Sequence, residues 1–145
     1  MTYLQRCAVE RLTNLENKKI HLSYLNDKLK LLKMKSTTLH AYNYDKVKVQ
    51  TCINSTEGSL VDNISDIEET ESDISCISFE INMMERILST LPENEQLVLE
   101  RFFVNHEKYA VSRLIDELGY EQSQIYKIRT AAIEHLTYRL FGCSK

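Results

Sequence analysis

One proline and three glycines are all that this chain of 145 residues offers to break a helix or close a tight turn. A sheet protein needs turn chemistry roughly every 8–12 residues, and glycine and proline supply much of it. Their scarcity predicts long helices and an all-α fold. Hydrophobic residues make up 43% of the chain, ordinary for a globular protein, so such helices have enough apolar surface to build a core.

The apolar residues recur at helical intervals. Between residues 3 and 35, Ala8, Leu15, Leu22 and Leu29 stand seven apart. A second row gives Leu4, Leu25 and Leu32, interrupted by Arg11 and Lys18. This a and d spacing predicts one long amphipathic helix. Residues 36–58 lose the period and read as a connection, in which DKVKVQT alternates like a short strand. From 59 to 91 the repeat returns with Leu60, Ile67, Ile74, Ile81 and Leu88, and with Ile64, Ile77, Met84 and Leu91 as the partner row. A second long helix is expected there, with Ser59 as its cap and Asp62 three residues on, where a capping box usually holds Glu or Gln.

Charge separates the same segments. Residues 1–56 carry a net +6, residues 57–91 a net −8 and residues 92–145 a net −1. An antiparallel, coiled-coil-like hairpin would set the basic helix beside the acidic one, with the leucine and isoleucine seam providing the stability and the edge charges choosing the partner. The same stripes also suit association between copies of the chain. The expected organisation is a helical hairpin and oligomerisation region over 1–90, with its connection at about 36–58, and a second region over 91–145.

In the second region, STLPENEQLVLERFFVN begins a helix, with Pro92 suited to a first turn and Glu93 and Glu95 to a helix N-terminus. Leu97, Val98, Phe102 and Phe103 form its apolar side. After the polar break NHEK, the stretch AVSRLIDELGYEQSQIYKIRTAAIEHLTYRL holds two helical patterns around Gly119, placed where a helix needs a left-handed stop. Val111, Leu114, Ile115 and Leu118 mark the face of the first. Projecting the second at 100° per residue puts Ile125, Ile128, Ala132 and Leu136 on one side. Ser123, Lys127, Thr130 and Glu134 fall opposite, flanked by Gln124, Tyr126 and Ala131. This spacing predicts a helix-turn-helix. Gln and Lys can read base edges, and Ser, Thr and Tyr can hold phosphates.

Other classes of function find little support. Cys7, Cys52, Cys76 and Cys143 are scattered, without a CxxC pair or a histidine at ligand spacing, and read as reduced thiols of a cytoplasmic protein. His21, His40, His106 and His135 lie in separate segments and belong to no HExxH, nucleophile elbow or phosphate loop. No enzyme activity, metal or cofactor is expected. MTYLQRCAVERL carries charges in its first turns and reads as neither a signal peptide nor a membrane span.

LPENEQLVLERFF followed by LIDELGYEQSQIYKIRTAAIEHL resembles region 4 of bacterial sigma factors, over residues 91–136. The whole layout, from lysine-rich helix through connection and acidic helix to this end, is similar to the ArpU-type phage transcriptional regulators, also described as sigma-70-like or RinA-like. The resemblance implies binding of double-stranded DNA and control of phage or prophage genes. Carried over by position, base reading falls on Gln122, Ser123, Gln124, Tyr126 and Lys127, with Thr130 on the same strip, and phosphate contacts fall near Lys108 and Arg113. Arg129 lies nearer the buried side, where Asp116 or Glu117 would be its partner. Three positions depart from the family pattern: Ala110 replaces a capping Thr, Ile115 a small residue between the helices, and Glu121 a capping Ser. Two other readings compete. One is a small-terminase-like packaging adaptor, which would form a ring. The other is a sigma-like module that binds RNA polymerase or a regulatory protein without DNA. A homo-oligomer is expected in either DNA-binding case, because one near-neutral module would bind weakly.

Overall fold

The computed structural model describes the backbone of residues 1–46 and 54–143, and the side chains of residues 1–38 and 60–143. All regular structure in these residues is helical: α1 (Tyr3–Thr13), α2 (Leu15–Lys46), α3 (Asn54–Ser89), α4 (Glu93–Leu99), α5 (Ala110–Leu118) and α6 (Gln122–Phe141). One π-helical turn, Glu100–Val104, continues α4. Among the described residues no helix is long and apolar enough to cross a membrane.

The single helix expected over 3–35 is two. Thr2 and Gln5 form a reciprocal capping box at the start of α1. Asn14, a weak helix former, then interrupts the run at φ −82°, ψ −2°. The connection is shorter than expected, since α2 continues to Lys46 and α3 begins at Asn54. The hydroxyls of Thr37 and Thr38 donate to the carbonyls of Lys33 and Met34, 3.0 Å away in each case. Bonded back along the helix, they do not compete with it, so loss of apolar period did not mean loss of helix. Ser59, expected as a cap, lies inside α3. Most of DKVKVQT, expected as a short strand, lies outside the described residues.

Packing divides the chain into two compact units, Met1–Lys19 with Glu80–Lys145, and Ile20–Phe79. This grouping differs from a boundary at residue 90, because α1 packs on α6 and on the π turn. Ala8 and Leu12 of α1 are fully buried. Arg11 lies over the Phe141 ring, 5.3 Å from its centroid. Lys18 and Lys19 reach Glu80 and Glu85 within the same unit. α4 and α5 also pack on α6. Val98, Leu114 and Ile125 form a buried cluster, with Leu97, Phe102, Leu118 and Ile128 around it. Burying each such side chain contributes about 1.5–3 kcal/mol.

The second unit pairs parts of α2 and α3. Leu25 is buried, and Leu22, Leu29 and Leu32 are half-buried. On α3 the inward positions are Leu60, Asn63, Ile67, Thr70, Ile74 and Ile77, a strict alternation of three and four. Ile64, expected in that row, is 45% exposed because it sits one step round the helix from it. Asn63 and Thr70 are buried in its place. The Asn63 amide donates to the Leu32 carbonyl at 3.3 Å, and the Thr70 hydroxyl to the Asp66 carbonyl at 2.7 Å. Lys33 and Glu71 join the helices at 2.8 Å.

Candidate nucleic-acid interface

Gly119 makes the corner between α5 and α6. It sits at φ +68°, ψ 17°, and its N–H donates to the Ile115 carbonyl at 2.9 Å. A left-handed residue there ends α5 and redirects the chain, which suits glycine. Glu121, in extended conformation, starts α6, and its carbonyl accepts from the N–H groups of Gln124 and Ile125. Neither Tyr109 before α5 nor Glu121 before α6 makes a side-chain cap, so the missing Thr and Ser leave those amides uncapped by side chains.

α6 is two-sided. Ile125, Ala132, Ile133, Leu136 and Thr137 are buried, and Ile128 is half-buried. Gln122, Ser123, Gln124, Tyr126, Lys127, Thr130 and Glu134 are exposed. Tyr126, Lys127, Thr130, Ala131 and Glu134 line a shallow concavity of about 450 Å³. The Thr130 hydroxyl donates to the Tyr126 carbonyl at 3.0 Å, leaving it as an acceptor toward a ligand. Ile115 is exposed, so the bulk that departs from the family pattern does not stand between α5 and α6. His135 bonds Glu95 at 2.9 Å and ties α6 to α4.

The cations are placed less simply. Lys108 and Lys127 are exposed and have no ion partner among the described residues. Arg113 is exposed but bonds Glu107 at 3.1 Å. Arg129 pairs with neither Asp116 nor Glu117. Its guanidinium lies 5.2 Å from the Phe102 ring centroid and 5.0 Å from that of Tyr126, within cation–π range. Glu117 is instead held by Arg101 at 2.5 Å, and Arg101 also holds Glu107 at 2.6 Å. That hydrogen bond from Arg101, the nearby guanidinium charges and the bond from Arg113 keep the Glu107 carboxyl below its usual range. Sequence reasoning missed Arg101, because its partners are 6 and 16 residues away and meet it only across the π turn and α5.

Protein-family models, curated proteins and solved structures gave no match to this chain.

The exposed strip therefore stands on its own chemistry. It offers two amides, two hydroxyls, a phenol and one ammonium in under three helical turns. Such groups make directional hydrogen bonds to a polar surface. Among the described residues no cluster of three or more His, Cys, Asp or Glu side chains is placed to hold a metal ion.

Proposed function

We propose that this chain is a sequence-specific DNA-binding transcriptional regulator of phage or prophage genes. In this reading α5 and α6 form a sigma region 4-like helix-turn-helix, and α6 enters a major groove. Gln122, Ser123, Gln124, Tyr126 and Lys127 face base edges, Thr130 lies beside them, and Lys108 and Arg113 lean toward phosphates. α2 and α3 form the coiled-coil-like hairpin that brings copies together, in a cytoplasmic protein. The observation that carries the reading is the division of α6, on which Gln122, Ser123, Gln124, Tyr126, Lys127 and Thr130 stand exposed while Ile125 and Ala132 are buried. A B-form major groove is wide enough to admit a helix that presents such a face.

A second reading is favoured by the cations. Glu107 takes up Arg113, and Arg129 is stacked, which leaves Lys108 and Lys127, of the cations assigned to the interface, without an ion partner among the described residues. Phosphate neutralisation supplies most non-specific affinity, so a surface this sparing in charge also suits a protein partner such as RNA polymerase or a regulatory protein.

Genomic DNA pull-down followed by salt-titrated binding to the best site separates the two. Steep loss of affinity with salt is expected, with Lys108→Ala reducing the slope by about 1. Gln124→Ala is expected to cost about 1–3 kcal/mol and to relax preference at one base pair. No enriched site, or a salt-independent interaction, would overturn the DNA reading in favour of the protein partner.

A further inference from the structure

α2 is apolar on two opposite sides. Leu22, Leu25, Leu29 and Leu32 share the side that meets α3. Ile20, Tyr24, Leu31 and Met34 fall within an arc of about 80° on the far side. They are 63%, 61%, 63% and 66% exposed. Four large apolar side chains in one solvent-facing stripe mark an interaction surface. α3 has an outer face of its own, away from the seam, with Val61, Ile64 and Phe79 at 65%, 45% and 70% exposure.

The charges beside these stripes are complementary. Lys28 and Lys35 flank the α2 stripe along one edge, exposed and without an ion partner among the described residues. Glu68 lies within the α3 face, and Glu69 and Asp62 stand roughly 80–100° round the helix from its edge, all exposed and without an ion partner among the described residues. In an antiparallel pairing Leu31 comes opposite Ile64 and Met34 opposite Val61, while Ile20 falls opposite Ser75, one turn short of Phe79. The same register brings Lys28 level with Ile67, one residue from Glu68, and Lys35 level with Leu60, about 3 Å along the axis from Asp62. Two α2 stripes laid together would instead crowd Lys28, Lys30 and Lys35 of both copies.

We propose that the α2 stripe of one molecule receives the outer face of α3 from a second copy of this chain. The two surfaces differ, so the contact is head-to-tail. Each added copy leaves one α2 stripe and one α3 face open until a ring closes or a filament grows. The contact lies within Ile20–Phe79 and does not depend on DNA binding.

Sedimentation and native mass spectrometry of the full chain, without DNA, test it at micromolar concentration. The wild-type chain is expected to form species larger than a dimer. A chain with Leu31→Glu and Met34→Glu, and a second with Val61→Glu and Ile64→Glu, should each be monomeric with unchanged helical circular dichroism. An equal mixture of the two should form a dimer, because each retains the face that the other lacks. Lys28→Glu alone should weaken assembly, and adding Glu68→Lys to the same chain should restore it. A monomeric wild-type chain would overturn the proposal. So would assembly that survives either double substitution, a mixture that stays monomeric, or a charge swap without rescue.

Discussion

The unit made of Met1–Lys19 and Glu80–Lys145 and the unit Ile20–Phe79 draw on the same apolar side chains at the same spacings, yet they differ in burial. In the first, Leu12, Val98, Leu99, Leu114, Ile125 and Leu136 are sealed from solvent. In the second, Leu25 is the one apolar side chain buried among the described residues, and the inward positions beside it include Asn63 and Thr70. Several helices crossing one another can enclose a side chain on every side, whereas two helices lying together leave each seam residue with open flanks. Depth of burial follows the number of helices that meet at a residue, and the heptad alone does not predict it.

The largest effect that could break this comparison is at Leu114. Leu114→Ala is expected to cost about 2–5 kcal/mol in denaturant unfolding. Ile67→Ala, in the half-buried seam, should cost less than half as much. Equal costs would show that the seam is packed as tightly as the larger core. Gly119→Ala comes next, at about 1 kcal/mol in the same measurement. An added Cβ would meet nothing within 4 Å, so the cost would be that of the left-handed backbone alone. A stabilising effect would contradict it.

Acid unfolding sharpens the comparison, because among the described residues the first unit alone holds a carboxyl lowered by a paired guanidinium. The folded Glu107 carboxyl ionises below 4.5, its ordinary value. Its stabilising contribution is therefore complete above that value and is lost as pH falls through the folded one. Glu107→Gln should lower stability at neutral pH and flatten the decline on the acid side. An unchanged acid profile would show that the Arg101 pairing contributes little. The smallest effect is expected at Lys33. Its bond to Glu71 joins two side chains about half exposed, so Lys33→Ala should cost about 0.2–1 kcal/mol and less in high salt.

Much of this was legible in the chain. The shortage of glycine and proline predicted the helical class, and Gly119 marked its corner to the residue. The division of α6 followed from 100° spacing, because a helix at the surface of a core has only one way to bury Ile125 and Ala132. Legibility failed where partners came from far away. Leu12 stands outside both expected rows, and it is buried because α1 packs on the C-terminal helices. Ile64 looked like the better core residue, but the three-four alternation selected Asn63. Arg129 has acidic residues nearby in sequence, and Arg101 had already taken one of them. Its place against the Phe102 and Tyr126 rings depends on the π turn that positions Phe102, for which the sequence carries no evident signal.

The docking of α1 on α6 also orders events during synthesis. The ribosome delivers Ala8 and Leu12 long before it delivers Ala132 or Leu136. Until then those side chains have no permanent shelter, and the segment Ile20–Phe79 can be made and can pair while they wait. The core that holds Ala8 and Leu12 can thus close only after the C-terminal helices have been made, and a product stalled before then leaves these apolar side chains open to other chains.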